Sequence, residues 1–224
     1  MLILHYTGMR TAAEAIGRLR DPASAVSCHY VVEEDGLTWR LVPEERRAWH
    51  TGVSHWRGHS GLNGRSIGIE VVNPGHEWGY RPFPALQMAV VCDLCLNILG
   101  RHAIAPRDVV GHADVAADRK QDPGELFDWQ GLAANGVGLW PEEGGGFDDA
   151  APVPGGEAQA LPLLATIGYQ AGLSSALLLA AFQRHWRPIR VDGLADRGTL
   201  AALVAVARCC AEPAIPLPAV RLAD

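Results

Sequence analysis

Between Gly111 and Gly124 the chain sets His112, Asp114, Asp118, Lys120 and Asp122 ahead of a Pro-Gly stop. Glycine at both ends and proline after the last aspartate describe a structured loop rather than a helix. Its side chains are of the types that ligate metals and carry charge. A catalytic zinc takes three protein ligands from His, Asp/Glu or Cys and leaves a fourth position for water. His5, His112 and Asp122 supply such a set from three separate points of the sequence. Zn²⁺ held there would bring the pKa of its water to about 7 and polarise a carbonyl, which is the chemistry of amide hydrolysis. That chemistry also needs a carboxylate to move the proton and a cation to steady the oxyanion. Glu70 and Lys120 are of the right types. Spacing alone leaves His29, His50, His55, His59, His76 and His102 as competing ligands, Glu70 as a solvated strand carboxylate, and Lys120 as a surface ion-pair partner.

The elements that must position these groups read as follows. Leu2–Tyr6 is an apolar run fit for a buried strand, with Ile3, His5 and Thr7 on one face. Thr11–Arg20 has helical spacing and stops at Asp21-Pro22. The segments 29–32 and 38–42 flank Asp35-Gly36 and predict an antiparallel pair. Residues 48–64, rich in Trp, His, Gly and Ser without a sustained period, predict a long surface loop of the kind that lines binding sites. In the strand 66–72, Ile67, Ile69 and Val71 share one face while Gly68 and Glu70 share the other, so the bare Gly68 leaves room for a ligand beside a carboxylate. Pro84–Leu99 predicts a helix with Leu86, Val90, Leu94 and Ile98 as its buried stripe, and 108–111 a short strand delivering His112.

Residues 136–156 are Gly- and Pro-rich and read as a linker. Helical patterns follow at 161–169, at 174–186 with a serine cap, and at 198–210 with Asp196 as cap. At 224 residues, 48% apolar and 20% charged, the chain fits one substantial core plus a small second unit. A net charge of −6 without any Lys/Arg run argues against nucleic acid or an anionic membrane as partner. Five cysteines with one CxxC pair, Cys92 and Cys95, predict core packing and no disulfide framework. No run is long enough for a transmembrane segment or a signal peptide, so the expectation is a cytoplasmic monomer, with the periplasm or cell envelope as the alternative if an upstream signal has been lost.

Five motifs, 4–7, 26–32, 47–52, 63–76 and 111–124, taken in this order, closely resemble the type 2 N-acetylmuramoyl-L-alanine amidases, the zinc enzymes of the AmpD/AmiD group in the peptidoglycan recognition protein superfamily. The resemblance implies an α/β fold, a mixed central β-sheet flanked by helices and followed by a small three-helix domain. It divides the chain into a catalytic domain (1–141), a linker (142–159), a three-helix peptidoglycan-binding-like domain (160–212) and a tail (213–224). It implies that His5, His112 and Asp122 hold Zn²⁺, that Glu70 is the acid/base and that Lys120 stabilises the tetrahedral intermediate. Tyr30 matches a position that contributes to the site in some relatives; Trp49, His50 and Asn73 fall in substrate-facing motifs. Asp114 and Asp118 are left as loop-shaping or surface carboxylates. The function implied is hydrolysis of the amide between (anhydro-)N-acetylmuramic acid and L-alanine in peptidoglycan or its fragments. The competing reading is a non-catalytic module that binds muropeptide in the same groove.

Overall fold

The computed structural model describes residues 1–141 and 151–211. In chain order these form β1 (Leu2–Tyr6), α1 (Ala12–Arg20), β2 (Tyr30–Val32), β3 (Thr38–Arg40), β4 (His55–Trp56), β5 (His59–Ser60), β6 (Ile67–Val71), α2 (Gly75–Trp78), α3 (Ala85–Arg101), β7 (Val109–Gly111), α4 (His112–Val115) and α5 (Trp129–Ala134). Three longer helices follow: α6 (Gly156–Ile167), α7 (Ser175–Trp186) and α8 (Arg197–Ala211). Half of the expected linker, 142–150, and residues 212–224, which include the whole expected tail, lie outside the described residues. The part of that linker that is described is structured, since α6 starts at Gly156 and Val153 N–H donates to Ala195 O.

One sheet runs β3-β2-β6-β1-β7, parallel except for β3 at its edge. Alternation along the strands gives it two apolar faces. On one, Leu2, Leu4, Ile67, Ile69 and Val71 pack with Val91, Cys95 and Ile98 of α3. On the other, Ile3 and Val110 pack with Leu164, Leu179 and Leu203 of the three C-terminal helices. β1 and β6 pair in a register that sets His5 beside Glu70. Both therefore lie at the carboxyl ends of parallel strands, where open α/β sheets bind their ligands. The next strand over, β7, leads straight into α4, whose first residue is His112.

Two expectations differ in detail. The buried stripe of α3 is Gln87, Val91, Cys95 and Ile98, while Leu86 is exposed. The helix is turned because Gln87 Nε2 donates to both Val32 O and Val72 O, satisfying two strand-end carbonyls in the interior. Residues 48–64 are exposed in part, as at Trp49 and Val53, and line the cleft through Trp49 and His50, but the segment is anchored in the interior. Trp56 and Leu62 are fully buried, β4 and β5 form a short hairpin, and Asn63 Oδ1 accepts from His50 N, Thr51 N and Thr51 Oγ1. That carboxamide replaces the regular pairing the segment lacks. All five cysteines are free thiols, and Cys95 sits in the core.

Candidate metal centre

His5 Nδ1, His112 Nδ1 and Asp122 Oδ2 converge from β1, α4 and the loop after it. His5 Nδ1 lies 2.9 Å from His112 Nδ1, and Asp122 Oδ2 is 3.0 Å from each. The far side of each ring decides what these atoms are. His112 Nε2 lies 3.1 Å from Thr51 O, which only accepts, so Nε2 carries the proton and Nδ1 is a bare lone pair. The same reasoning runs through a longer chain for His5. Ser66 Oγ donates to Leu62 O (2.7 Å) and so accepts from His50 Nε2 (3.3 Å), which leaves His50 Nδ1 to accept from His5 Nε2 (2.9 Å). Burial holds His5 down to about 4 and His50 well below the ordinary value, so both rings are neutral at pH 7. Burial opposes the charge of Asp122, and only positive charge held among the two facing imidazole nitrogens, as a proton or a metal ion, lowers its pKa and keeps it ionised. Three buried acceptor atoms facing one another call for a cation. The donor set fits a metal ion, and among the described residues it is the one His/Cys/Asp/Glu group that does.

Beside this triangle opens a cleft of about 470 Å³ lined by Glu70, Lys120, Trp49, His76 and Arg18 among others. Glu70 Oε2 is buried without a hydrogen-bond partner. Burial raises its pKa well above the carboxylate range, the Asp122 charge adds to the rise and Lys120 opposes it. An unpartnered carboxyl oxygen in the cleft beside the converging ligands is placed to take and return a proton. Lys120 projects from the loop between two of the converging ligands and offers the cation that an oxyanion would need.

The amidase family profile described as N-acetylmuramoyl-L-alanine amidase matches residues 1–125, more than half of the chain. The chain belongs to the N-acetylmuramoyl-L-alanine amidase family. It is 37% identical over 222 residues to the amidase AmiD of Escherichia coli K12, covering 90% of this chain and 79% of that one. To the 1,6-anhydro-N-acetylmuramyl-L-alanine amidase AmpD of Enterobacter cloacae it is 34% identical over 105 residues, 47% of this chain and 54% of AmpD. The structure of E. coli AmiD in complex with the substrate anhydro-N-acetylmuramic acid-L-Ala-D-gamma-Glu-L-Lys superposes with a TM-score of 0.84 at 36% identity, covering 93% and 88% of the two chains. AmpDh3 of Pseudomonas aeruginosa gives 0.82 at 34% identity, covering 93% and 91%.

Within this amidase fold the sequence-predicted residues separate. His5, Glu70, His112, Lys120 and Asp122 come together, and Trp49 stands half exposed at the cleft wall with the Arg47 guanidinium 4.2 Å above its ring. Tyr30 does not join them. Its neighbour Val31 is the residue in register with Glu70, so Tyr30 faces the opposite side of the sheet, and its hydroxyl donates to Glu44 at 2.5 Å. Asn73 does not face substrate either: buried, it donates to Arg81 O and accepts from Gly75 N, shaping the turn into α2. His50 reaches the cleft wall, but both of its nitrogens are engaged, one by His5 and one by Ser66. Its ring also fills the space above Gly68, where any Cβ would collide with it. Gly68 thus makes room for a histidine of the chain and not for a ligand. Thr51 O and Ser66 carried no signal in the sequence, because a backbone carbonyl and a lone serine have no spacing to read.

Proposed function

We propose that this protein is a zinc-dependent amidase that cleaves the bond between N-acetylmuramic acid, or its anhydro form, and the L-alanine of the stem peptide. The observation that carries the reading is the convergence of two deprotonated imidazole nitrogens and one carboxylate oxygen next to an unpartnered buried carboxyl. Zinc held by His5, His112 and Asp122 would supply Lewis-acid polarisation of the scissile carbonyl and lower the pKa of its bound water to about 7. Glu70 takes the proton from the attacking water and returns it to the leaving amine of L-alanine. Lys120 faces the developing oxyanion, and Trp49 offers an apolar wall for the sugar or peptide. The anhydro-muramyl peptides named for the AmiD and AmpDh3 complexes support soluble fragments as substrates. The C-terminal helices, expected from the sequence to be peptidoglycan-binding-like, would add a contact with longer glycan.

The test is mass spectrometry of anhydro-muropeptides incubated with the chain. Free peptide should appear with zinc and disappear with a chelator. Glu70→Gln should retain zinc while kcat falls about 10²–10⁴-fold, and Lys120→Ala should lose about 10²–10³-fold. Muropeptide left intact under every condition would make the cleft a recognition groove instead.

A further inference from the structure

The carboxylate of Asp114, two residues beyond His112, is buried and accepts three hydrogen bonds from three parts of the fold. Gly111 N donates to Oδ2 at 2.7 Å, His185 Nδ1 donates to the same oxygen at 2.7 Å, and Tyr169 Oη donates to Oδ1 at 2.6 Å. Gly111 ends β7 and immediately precedes the ligand His112. Tyr169 follows α6, and His185 belongs to α7. The His185 ring is clamped between two indoles, 3.9 Å from Trp129 and 3.6 Å from Trp186, both nearly parallel to it. Tyr169 is held edge-on by Trp56 at 5.2 Å. Neither donor is a mobile surface group, as each is 3% exposed.

What these bonds act upon is α4, a helix of four residues that begins at His112. One turn of helix does not hold its own direction in water, because nucleation costs more than a single turn returns. Its orientation must come from outside. One tether is Ala113 N–H donating to Asp122 O at 2.8 Å, which links two of the converging ligands through the backbone. The other is Asp114. A Cβ at Gly111 would press on Pro123 and approach Asp114 Oδ2, so the strand end, the carboxylate and the Asp122-Pro123 step are packed as one block.

We infer that Tyr169 and His185, contributed by the C-terminal helices, are positioning residues for the metal ligand His112, acting through Asp114. The helical unit then serves the amidase centre directly, in addition to any contact it makes with glycan. The inference rests on the metal-centre reading and goes beyond it, since none of these three side chains touches the ligating atoms. Partners that orient metal ligands from behind alter metal affinity by about 10–100-fold when lost.

The whole chain tests this through two changes that each remove a donor and one rescue. Tyr169→Phe keeps the ring against Trp56 and removes only the donor; His185→Leu removes the other donor, and His185→Asn keeps an N–H near the Nδ1 position. Zinc affinity is measured by competition with a chromophoric chelator, and ligand geometry by the visible absorption of the cobalt(II)-substituted protein. Tyr169→Phe and His185→Leu are expected to weaken zinc binding about tenfold and to alter the cobalt bands, with His185→Asn recovering most of the affinity. A role confined to packing would lower the melting temperature and leave the cobalt spectrum as it was. Wild-type affinity and spectrum in folded Tyr169→Phe overturn the inference, and that variant decides alone if His185→Leu does not fold. A wild-type chain that takes up no zinc overturns the metal reading and this inference together; zinc uptake with unchanged variants overturns this inference alone.

Discussion

Ser66 lies two positions removed from the metal ligands along a chain of hydrogen bonds, yet it fixes the proton that decides whether His5 can ligate. Its hydroxyl proton is committed to Leu62 O, so the oxygen can only accept from His50, and the preference passes through His50 to His5 Nε2. Without that oxygen, the His50 tautomer with a proton on Nδ1 becomes competitive. That form faces the His5 Nε2 proton and drives it to Nδ1, where it blocks the metal. Ser66→Ala is therefore expected to weaken zinc binding roughly tenfold with little loss of fold. A chelator-competition titration giving the wild-type constant would refute the relay. At this scale the sequence was legible where chemistry demands a residue type at a motif position, as for His5, His112, Asp122, Glu70 and Lys120. It was silent where a side chain serves through what lies behind it. The motif around His50 points to substrate and the bare Gly68 to room for a ligand, but the path of residues 48–64 drops the His50 ring onto Gly68. That path depends on Asn63 capturing three donors, which no periodicity announces.

Elements are joined here by polar hubs as much as by apolar faces, and Glu44 shows how. It follows β3 in the chain, and accepts from Tyr30 Oη at 2.5 Å, Arg101 Nη2 at 2.6 Å and His102 Nε2 at 2.6 Å. It thereby ties β2 to the end of α3. This is the physical reason that Tyr30, assigned to the catalytic face on resemblance, points the other way: its hydroxyl completes a structural cluster. The Arg101 guanidinium, then Tyr30 and His102, hold the Glu44 carboxyl down to about 2 against the effect of burial. A carboxylate depressed in the folded state adds stability above its unfolded pKa, and that stability is lost as the pH falls through the folded value. The contribution should be complete above about pH 4.5 and fade towards pH 2. Arg101 is half exposed, so screening keeps the effect near 1 kcal/mol. Glu44→Gln is expected to lower Tm by about 2–4 °C at neutral pH and to flatten the acid limb of a Tm-against-pH curve. Equal slopes between pH 4.5 and 2 for the two proteins would remove Glu44 from this role. The strands and long helices themselves were legible from period and punctuation. The turn of α3 by one position was not, because Gln87 is a polar residue buried for the sake of two carbonyls.

At the scale of the molecule, the sequence reads as a catalytic unit, a glycine-rich connection and a small bundle marginal by itself. The described residues show why such a bundle is stable here: it does not keep a core to itself. Ile3 and Val110 of the sheet, Trp56 and Leu62 of the loop and Val115 of α4 belong to one buried cluster with Leu164, Leu179 and Leu203 of the three C-terminal helices. Linkers with many glycines are normally read as separating folding units, and composition carries no information about which apolar faces meet across them. A shared core implies shared cooperativity, since the face carrying Ile3 and His5 cannot stay dry once α6 and α8 leave it. Calorimetry of the whole chain is expected to show one transition, with calorimetric and van't Hoff enthalpies in agreement. Leu164→Ala opens a cavity at a fully enclosed point of α6 and should cost about 2–5 kcal/mol. The decisive feature is where that loss is seen. If the core is shared, near-ultraviolet signals from the whole chain and release of zinc from His5, His112 and Asp122 all move to the same lower temperature. If Leu164→Ala melts the C-terminal helices first while zinc stays bound to a folded sheet, the two parts are independent and the helices are a tethered module after all.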